Sequence, residues 1–366
     1  MADAPPSPDA RAELHRARAL PVAHYVDPTW VAREAAQVFA RSWQLVGSAD
    51  RLTAPGDHVV DEIAGRPLLV VRHSDGELRA FYNVCKHRAG PLAVCDGRGA
   101  RALRCKYHGW TYELDGALRS APEMGEALDF DRGTIRLSAL AVREWQGLVF
   151  VAMDAATPAF EEVYGGIRER IAPVDLSALR FVRRDGYELA CNWKVYVDNY
   201  LEGYHLPHVH PGLSRVLDYR AYDTELCRWY SLQHSPLRDQ GGIYGEGDAW
   251  YFFIYPNVMC NVMPGRLQTN RVLPLGIDRC RVEFDYYYGA DPEVQARAEA
   301  DREFSEQVQQ EDIRICELVQ KGLASGVYEA GRLCPRRESG VWHFHELLRQ
   351  ALAEGAESAA TDHGAG

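Results

Sequence analysis

The chain from about residue 45 to residue 155 alternates apolar and polar positions in short runs that are typical of β-strands. HVVDEIAG, RPLLVVRHSDGELRAFYNV and WQGLVFVAMD carry this alternation. Asp75-Gly76 and Asp115-Gly116 interrupt it with a dipeptide that favours a hairpin turn. Together these features predict a small all-β unit.

The pattern changes after about Thr157-Pro158, where helical and strand-like segments alternate. EEVYGGIRERIAPV and NWKVYVDNYLEGYH predict helices, and Asn192 is the expected N-cap of the second. LRFVRRDGYELA, WYFFIYPNVMCNVMP and QTNRVLPLGIDRCRVEFDYYYG predict strands, and residues 292–324 predict a long closing helix. This order predicts an α+β unit with an antiparallel sheet.

The composition is ordinary for a soluble protein, because 46% of the 366 residues are apolar and 25% are charged. A net charge of −11 gives no general electrostatic support for nucleic-acid binding. No apolar run is long enough to span a bilayer, and the first residues contain no apolar signal core. The nine cysteines fit a reducing compartment better than a disulfide framework. We therefore expect a cytoplasmic protein that binds neither nucleic acid nor membrane.

Two cysteine–histidine pairs lie in the β-rich part of the chain, within CKHRAGPLAVCDGRGARALRCKYHGW. Cys85 and His87 form the first pair, Cys105 and His108 form the second, and seventeen residues separate them. Either zinc or an iron–sulfur cluster could use two thiolates and two imidazoles. The pairs favour the cluster, because two sulfurs can then bind one iron and two nitrogens the other.

Glycines follow both pairs closely, at Gly90 and Gly109, and leave room for inorganic sulfide on predicted hairpin tips. Cys95 lies between the pairs but fits neither spacing, so we predict that it is a buried thiol. An iron–sulfur cluster of this kind moves single electrons and performs no bond chemistry itself. A second centre is therefore expected to receive the electron.

Three histidines, His205, His208 and His210, lie within the segment NYLEGYHLPHVHP. On the predicted helix, Asp198, Glu202 and His205 fall at i, i+4 and i+7 and share one stripe. Two imidazoles and one carboxylate on one face of an iron leave its other positions open for oxygen and substrate. From the spacing alone, any two of the three histidines could be the metal-binding pair.

A carboxylate ligand is predicted further along the chain, in the closing helix FSEQVQQEDIRICELVQKGL. Its predicted apolar face comprises Phe304, Val308, Ile315, Val319 and Leu323. Asp312 falls inside this face, and a charge that points into a core needs a partner such as iron. Glu311 lies nearly as close to the face, so periodicity prefers Asp312 only weakly. An ion pair with Arg314 or Lys321 is the alternative to a metal.

These motifs together resemble one protein family. The spacing C-x-H-x17-C-x-x-H, with its trailing YHGW, is similar to the Rieske motif. Further along, the chain reads N-W-K-x4-N-x2-E-x2-H-x4-H, which resembles the α subunits of Rieske non-heme iron oxygenases. The match covers roughly residues 40–345.

The resemblance implies a ligand set for each metal centre. It assigns a Rieske [2Fe-2S] cluster to the quartet, with Cys85 and Cys105 on one iron and His87 and His108 on the other. It makes three further residues the ligands of a mononuclear non-heme Fe(II): His205, His210 and Asp312. The remaining histidine, at position 208, has no ligand role, and O₂ is the expected co-substrate.

The resemblance also assigns the acidic and amide residues near the histidines. Glu202 takes the place of a carboxylate that bridges the cluster of one subunit and the iron of the next in a ring of three. It would accept one N–H hydrogen bond from a histidine of each centre. Asn199 matches an asparagine near the iron. Asp198 stands where many relatives have glutamate, and it would lie near the iron ligands without binding the metal itself.

The fold implied is α+β, with an all-β Rieske [2Fe-2S] domain at residues 45–155. A helix-grip catalytic domain of the START or Bet v1 type, with an antiparallel sheet, would occupy residues 156–350. Residues 1–44 are predicted to be a helical segment that packs on the catalytic domain, and residues 351–366 a disordered tail. The expected assembly is a homotrimer or an oligomer built from trimers. A separate flavin/iron–sulfur reductase would supply electrons from NADH or NADPH, since no flavin or nicotinamide glycine fingerprint occurs in the sequence.

Within the family, the chain looks most like the choline, carnitine and glycine-betaine monooxygenases. The expected reaction is oxygenation of a small quaternary ammonium or betaine compound, with N-demethylation as the natural outcome. Rings on the predicted pocket strands are hypothesised to form a cation cage: Trp229, Tyr230, Trp250, Tyr251, Phe252, Phe253 and Tyr255. One alternative keeps both iron centres but hydroxylates an aromatic acid or removes an O-methyl group. Another, from a different class, is a Rieske electron carrier fused to a binding domain.

Overall fold

The computed structural model of the chain describes residues 12–238 and 243–362, with side chains described up to residue 354. The chain divides into two compact units. One is Ala40–Thr157, and the other joins the described residues up to Phe39 with those from Pro158 onward. None of the helices in the described ranges combines the length and the hydropathy that a membrane span needs.

In the smaller unit, all of whose residues are described, nine β-strands form two antiparallel sheets. Strands β1–β9 are Gln44–Ser48, His58–Ile63, Arg66–Arg72, Leu78–Tyr82, Leu103–Arg104, Thr111–Tyr112, Leu118–Ser120, Ala139–Trp145 and Leu148–Ala152. The larger sheet has the order β1-β9-β8-β4-β3-β2, and β5-β6-β7 form the smaller one. Both predicted hairpins are confirmed, because Gly76 and Gly116 have the left-handed φ values, +90° and +86°, that such turns favour.

The described part of the larger unit contains a seven-stranded antiparallel sheet. Strands β10–β16 are Arg180–Leu189, Asp223–Leu226, Tyr230–Pro236, Asp248–Ile254, Val258–Met263, Arg266–Pro274 and Cys280–Tyr288. Their order is β10-β16-β15-β14-β13-β12-β11. Two apolar segments predicted as single strands are each a pair of antiparallel strands, because the chain reverses around Pro256 and around Gly276.

Helices α1–α9 of the same unit are Ala23–Val26, Thr29–Glu34, Phe160–Tyr164, Ile167–Ile171, Trp193–Tyr200, Leu206–Val209, Leu213–Val216, Pro292–Leu323 and Ser339–Asp362. Helix α9 corrects the prediction of a disordered tail from residue 351, because it continues to Asp362 and buries Leu352. The segment is rich in alanine, which has the highest intrinsic helix propensity. Residues 363–366 of that predicted tail lie outside the described residues.

A row of polar side chains crosses the sheet face that helix α8 covers. Directly paired positions on β12, β13, β14, β15 and β16 are Gln233, Tyr251, Asn261, Gln268 and Tyr286. Paired residues of antiparallel strands point to the same face, so these five side chains form one line, which we call the polar row. Ser305 of α8 contacts the row, with its hydroxyl 3.1 Å from that of Tyr286 and 3.3 Å from the Gln268 carbonyl oxygen.

The polar row explains why the predicted apolar face of α8 is wrong. The buried side of the helix is mostly small and polar: Ala298, Asp301, Ser305, Gln309, Cys316, Gln320 and Leu323. Val319, predicted to be in the core, is 44% exposed. Asp312 nevertheless continues the buried side, three residues after Gln309 and four before Cys316.

The N-terminal segment is joined to α5 by a buried ion pair. Glu34 accepts hydrogen bonds from Lys194 Nζ at 2.6 Å and from Trp193 Nε1 at 2.7 Å. All three side chains are buried. Because removing one partner of a buried pair leaves an uncompensated charge, this contact fixes the start of α5 firmly.

Candidate metal and catalytic sites

Two loops of the same design hold the cysteine–histidine quartet. Cys85 follows β4 and Cys105 follows β5, and in each loop the amide four residues later donates to the cysteine carbonyl. These bonds, from Ala89 to Cys85 and from Gly109 to Cys105, are both 3.0 Å long. Both cysteines are at most 3% exposed and belong to the apolar core of the unit. The two loops therefore hold their sulfurs inside the protein in equivalent ways.

The quartet fits a Rieske cluster. The rings of His87 and His108 lie outside the cysteines, with their centroids 4.6 Å apart. A Cβ atom at Gly90 would lie 2.8 Å from Cys105 Sγ, so only glycine leaves that side of the sulfur open. The Tyr112 hydroxyl lies 3.3 Å from Cys85 Sγ, where it can donate to a thiolate. Two buried sulfurs and two outer imidazoles are the donor set that this cluster needs.

Cys95 is exposed, which corrects the prediction of a buried thiol. It lies in an irregular segment between the two loops, beside Asp96, whose carboxylate accepts from the amide of Val60 at 3.0 Å and pairs with Arg51. Since this polar anchor holds the segment at the surface, the thiol does not reach the core.

The second site begins at α5, whose N-cap is Asn192, as predicted. Its side-chain oxygen accepts from the amide of Lys194 at 3.0 Å. The helix ends at Tyr200, earlier than predicted, and a turn follows in which the Glu202 carboxylate accepts from the amides of Tyr204 and His205. The predicted stripe along one helix is therefore wrong, because Asp198 lies in the helix and the other two residues lie beyond it.

His205 and His210 flank the single turn of α6, as its N-cap and C-cap. The Nε2 atom of His210 lies 2.9 Å from Asp312 Oδ1, and that of His205 lies 3.9 Å from the same oxygen. One ligand atom from each of the three side chains lies within 4.8 Å of the others. His208, in the middle of the turn, is exposed. The fold thus brings together the three predicted iron ligands and leaves the third histidine out.

Two further carboxylates orient the imidazoles from outside. Glu202 Oε1 lies 2.6 Å from Nδ1 of His205, and Glu311 Oε2 lies 2.7 Å from Nδ1 of His210. A carboxylate that accepts from Nδ1–H favours the tautomer whose Nε2 is free to bind a metal. Glu311 was the alternative carboxylate ligand in the sequence analysis. In the structure it contacts Nδ1 of His210, the nitrogen that does not face Asp312.

The neighbouring carboxylates also change the pKa of His210. Burial alone would lower the pKa of His210, but its hydrogen bonds and charge interactions with Asp312 and Glu311 outweigh burial and raise it. Asn199 donates to Asp312 Oδ1 at 2.6 Å, so it lies beside the predicted metal ligand. Two histidines and one carboxylate with outer partners are the donor set of a non-heme iron site with open positions.

Asp198 contacts none of the three predicted ligands among the described residues. Its carboxylate accepts from the Tyr25 hydroxyl at 2.6 Å and lies 2.9 Å from His345 Nε2. It therefore ties the N-terminal segment and α9 to α5, one residue before Asn199.

A cavity of about 110 Å³ adjoins the three residues His205, His210 and Asp312. Its aromatic lining comprises Tyr196, Tyr200, Tyr222, Tyr244, Tyr251 and Phe284. Of the seven rings predicted to form a cage, Tyr251 is the one found among the described lining residues. Two reasons account for the difference. Neighbours on a strand face opposite sides, so Phe252 packs on Tyr230 across the other face of the sheet. Phe253 shares the face of Tyr251 but packs against Phe344 of α9.

Comparisons with known proteins identify the class. The Rieske [2Fe-2S] domain matches residues 42–142. The catalytic domain of the ring hydroxylating alpha subunit matches residues 176–231 and 225–354. The chain belongs to the Rieske ring-hydroxylating oxygenase α subunits, oxidoreductases that carry a [2Fe-2S] cluster and a mononuclear non-heme iron.

Its relatives include choline and carnitine monooxygenases. Choline monooxygenase, chloroplastic, of Arabidopsis thaliana is 36% identical, over 94% of this chain and 85% of that protein. The carnitine monooxygenase oxygenase subunit of Escherichia coli (strain K12) is 31% identical, over 92% and 94%.

Solved structures confirm the predicted fold class. The quaternary ammonium Rieske monooxygenase CntA in complex with L-carnitine is 28% identical with a TM-score of 0.83, over 95% of this chain and 99% of that one. Naphthalene 1,2-dioxygenase shares the fold, with a TM-score of 0.75 at 17% identity over 94% and 95%.

Proposed function

We propose that this chain is the terminal oxygenase component that oxidises a small quaternary ammonium compound, with N-demethylation as the outcome. The observation that carries this proposal is the small cavity that joins the three candidate iron ligands to a lining of tyrosine rings. Ring faces attract a quaternary ammonium by cation–π interaction. The choline and carnitine enzymes among the relatives support the same substrate class.

In this proposal His205, His210 and Asp312 hold the Fe(II), and Asn199 keeps the carboxylate of Asp312 in place. A site of two imidazoles and one carboxylate supplies O₂ activation when iron is bound. The rings hold the ammonium group so that one of its methyl carbons faces the metal site. The mostly apolar lining of the cavity limits the access of water to that carbon.

The proposed reaction replaces one C–H bond of an N-methyl group by C–OH. The second oxygen atom leaves as water, with two electrons from the reductase and two protons. The product is an N-hydroxymethyl ammonium, which loses its hydroxyl proton as its C–N bond breaks and so releases formaldehyde, a tertiary amine and one proton.

The electrons are proposed to arrive through the neighbouring subunit of a homotrimer. Cys85, Cys105, His87 and His108 hold the Rieske cluster, and Glu202 connects it to the iron of the adjoining subunit. Two observations support this bridge. Glu202 Oε1 lies at hydrogen-bond distance from His205 Nδ1, and the same side chain lines a second cavity of about 600 Å³. A separate reductase in the cytoplasm completes the proposed system with NADH or NADPH.

Turnover with a reductase tests the proposal. The panel contains choline, carnitine, glycine betaine, other N-methylated betaines and benzoates, and formaldehyde and trimethylamine are both measured. Formaldehyde with loss of one methyl group is the expected result. Trimethylamine without formaldehyde would place oxidation on another carbon of the substrate, and ring hydroxylation of a benzoate alone would refute the substrate class.

An electron carrier with a binding domain needs the cysteine–histidine quartet but no second metal site. The convergence of His205, His210 and Asp312, with a carboxylate behind each imidazole, favours the oxygenase. Replacing His205 with alanine distinguishes the two classes, because a carrier would keep all of its iron.

A further inference from the structure

Building on the proposed function, we propose that Arg266 and Tyr251 form an anion-binding end of the cavity. The substrate that fits best is then a zwitterion, a quaternary ammonium compound that carries a carboxylate, rather than choline. The ammonium group points toward the iron ligands and the carboxylate toward Arg266.

Arg266 is a buried cation with hydrogen-bonding capacity left over. Its Nε donates to Asp301 Oδ2 at 2.6 Å and its Nη2 to Gln268 Oε1 at 2.6 Å. The partner of Nη1 is the thioether sulfur of Met263, at 3.3 Å. Thioether sulfur is a weak acceptor and a guanidinium has five N–H donors, so Nη1 can still make a strong bond to an oxyanion.

Asp301 orients this guanidinium without occupying the cavity. Its carboxylate is buried and also accepts from the Tyr288 hydroxyl at 2.6 Å. Arg266 lines both the cavity and a smaller neighbouring recess, whereas Asp301 lines the recess. The carboxylate thus lies at the Nε side of the guanidinium, and the N–H groups of Nη1, whose partner is the weak acceptor Met263, are the ones available to a ligand. Arginine suits this role because its charge is permanent and its fork matches a carboxylate.

Tyr251 supplies a second donor on the same face of the sheet. Its hydroxyl is buried and has no hydrogen-bond partner among the described residues. Its neighbours in the polar row are satisfied, since Gln233 accepts from Tyr222 and Asn261 accepts from Tyr200. A buried hydroxyl without an acceptor is unfavourable, and a substrate oxygen would supply that acceptor.

The charges of the cavity are arranged as a dipole along α8. Asp301, which holds Arg266, and Asp312 are separated by eleven residues of one helix, roughly 16 Å at 1.5 Å per residue. Asp312 and Glu202 are negative, and Arg266 is positive. The charge of Arg266 is compensated by Asp301, so this end attracts an oxyanion mainly through its N–H donors, and a zwitterion can match both ends.

Binding of two ligands that differ by one carboxylate tests the assignment. γ-Butyrobetaine and butyltrimethylammonium have the same chain length, and only the first has a carboxylate. Their dissociation constants are measured anaerobically on the iron-loaded enzyme without reductase, and kcat/KM is measured with it. We expect wild type to prefer γ-butyrobetaine. Arg266→Gln should lose roughly 10- to 100-fold of that affinity and leave butyltrimethylammonium unchanged or improved.

Two further variants and one control make the test robust. Tyr251→Phe should weaken γ-butyrobetaine by roughly 3- to 10-fold, the effect of one neutral hydrogen bond. If Arg266→Gln fails to fold because Asp301 is left unpaired, the double variant Arg266→Gln/Asp301→Asn removes both charges and should still lose the preference. Arg271→Gln, on the same strand but the opposite face and paired with Glu283, should keep it.

Equal affinity of wild type for the two ligands, or equal losses for both in Arg266→Gln, would overturn the assignment. The proposed function can fail separately. If neither ligand binds and no quaternary ammonium compound is oxidised, the substrate class itself is wrong. If choline is oxidised more efficiently than every carboxylated compound, the class stands and the anion-binding end is refuted.

Discussion

The two candidate metal sites of this protein are built in contrasting ways. The quartet comes from two loops of one design, and all four side chains lie between Cys85 and His108. The other site needs a helix, a separate single turn and Asp312, far along the chain on α8. The first site is therefore encoded by short-range spacing, and the second depends on how distant elements pack. A substitution in one site should therefore remove the metal centre of that site and leave the other centre in place.

The largest effect is expected from Asp312→Ala. It removes the oxygen that lies near both Nε2 atoms, so the mononuclear iron should be lost and turnover should fall to background. The visible and electron paramagnetic resonance spectra of the cluster should persist, because its ligands lie in the other unit. Gln310→Ala, on the exposed side of the same helix, is the control. Full iron content in Asp312→Ala would contradict the ligand assignment.

A substitution in the other unit should have the reverse effect. In Gly90→Ala the new Cβ would lie 2.8 Å from Cys105 Sγ, so the cluster should be lost or reduced while the mononuclear iron remains. Gly125→Ala, where a Cβ would meet nothing within 4 Å, should retain both. Iron and sulfide analysis with the cluster spectrum measures the outcome. An intact cluster in Gly90→Ala would show that the sulfur does not need the open side.

An intermediate effect is expected from Glu311→Gln. The amide still offers an oxygen to His210 Nδ1 but no charge, so affinity for Fe(II) should fall by about 10- to 100-fold. Metal titration of the apoprotein measures this change. Glu306→Gln, which contacts Tyr187 on the exposed side of α8, is the matched control. Identical affinities for the two variants would mean that Glu311 does not act on the metal through His210.

The smallest effect should come from the N-cap of α5. Asn192→Ala removes the bond to the amide of Lys194 and a second one to the carbonyl of Ile277, so the free energy of unfolding should fall by about 0.5–2 kcal/mol. Chemical denaturation measures it. Because this helix carries Asn199, loss of mononuclear iron on mild heating should accompany the change, whereas Asp291→Ala at the N-cap of α8 should act mainly on stability. An unchanged stability would refute the capping role.

The contrast also explains how far the sequence could predict the structure. The quartet and both hairpin glycines follow from local spacing. The structure confirms both turns and holds the two cysteines in equivalent loops, of which only the second joins paired strands. The helix N-cap at Asn192 and the long helix from Pro292 follow from local signals too. Such features depend on neighbours within a few residues, which a sequence displays directly.

Other features depended on packing. The sequence pattern predicted that α5 continues to His205. No local signal shows that the Glu202 carboxylate accepts from the amides that follow it and so starts a turn. The outer role of Glu311 and the pairing of Asp198 with Tyr25 require partners from distant segments. The cage prediction counted rings along a strand, although the alternation of strand side chains could have excluded half of them. That alternation groups Tyr251 with Phe253, and only the packing of Phe253 against Phe344 of α9 separates the two.

The polar row has a consequence for redesign. Its five positions lie on five different strands, and the hydrogen bonds between those strands use backbone atoms only. Side chains there can therefore be exchanged without changing the alignment of the strands. A combinatorial library restricted to Gln233, Tyr251, Asn261 and Gln268 would reshape the floor of the cavity without replacing any proposed iron ligand. The same scaffold could in this way be directed to N-methylated compounds of other shapes.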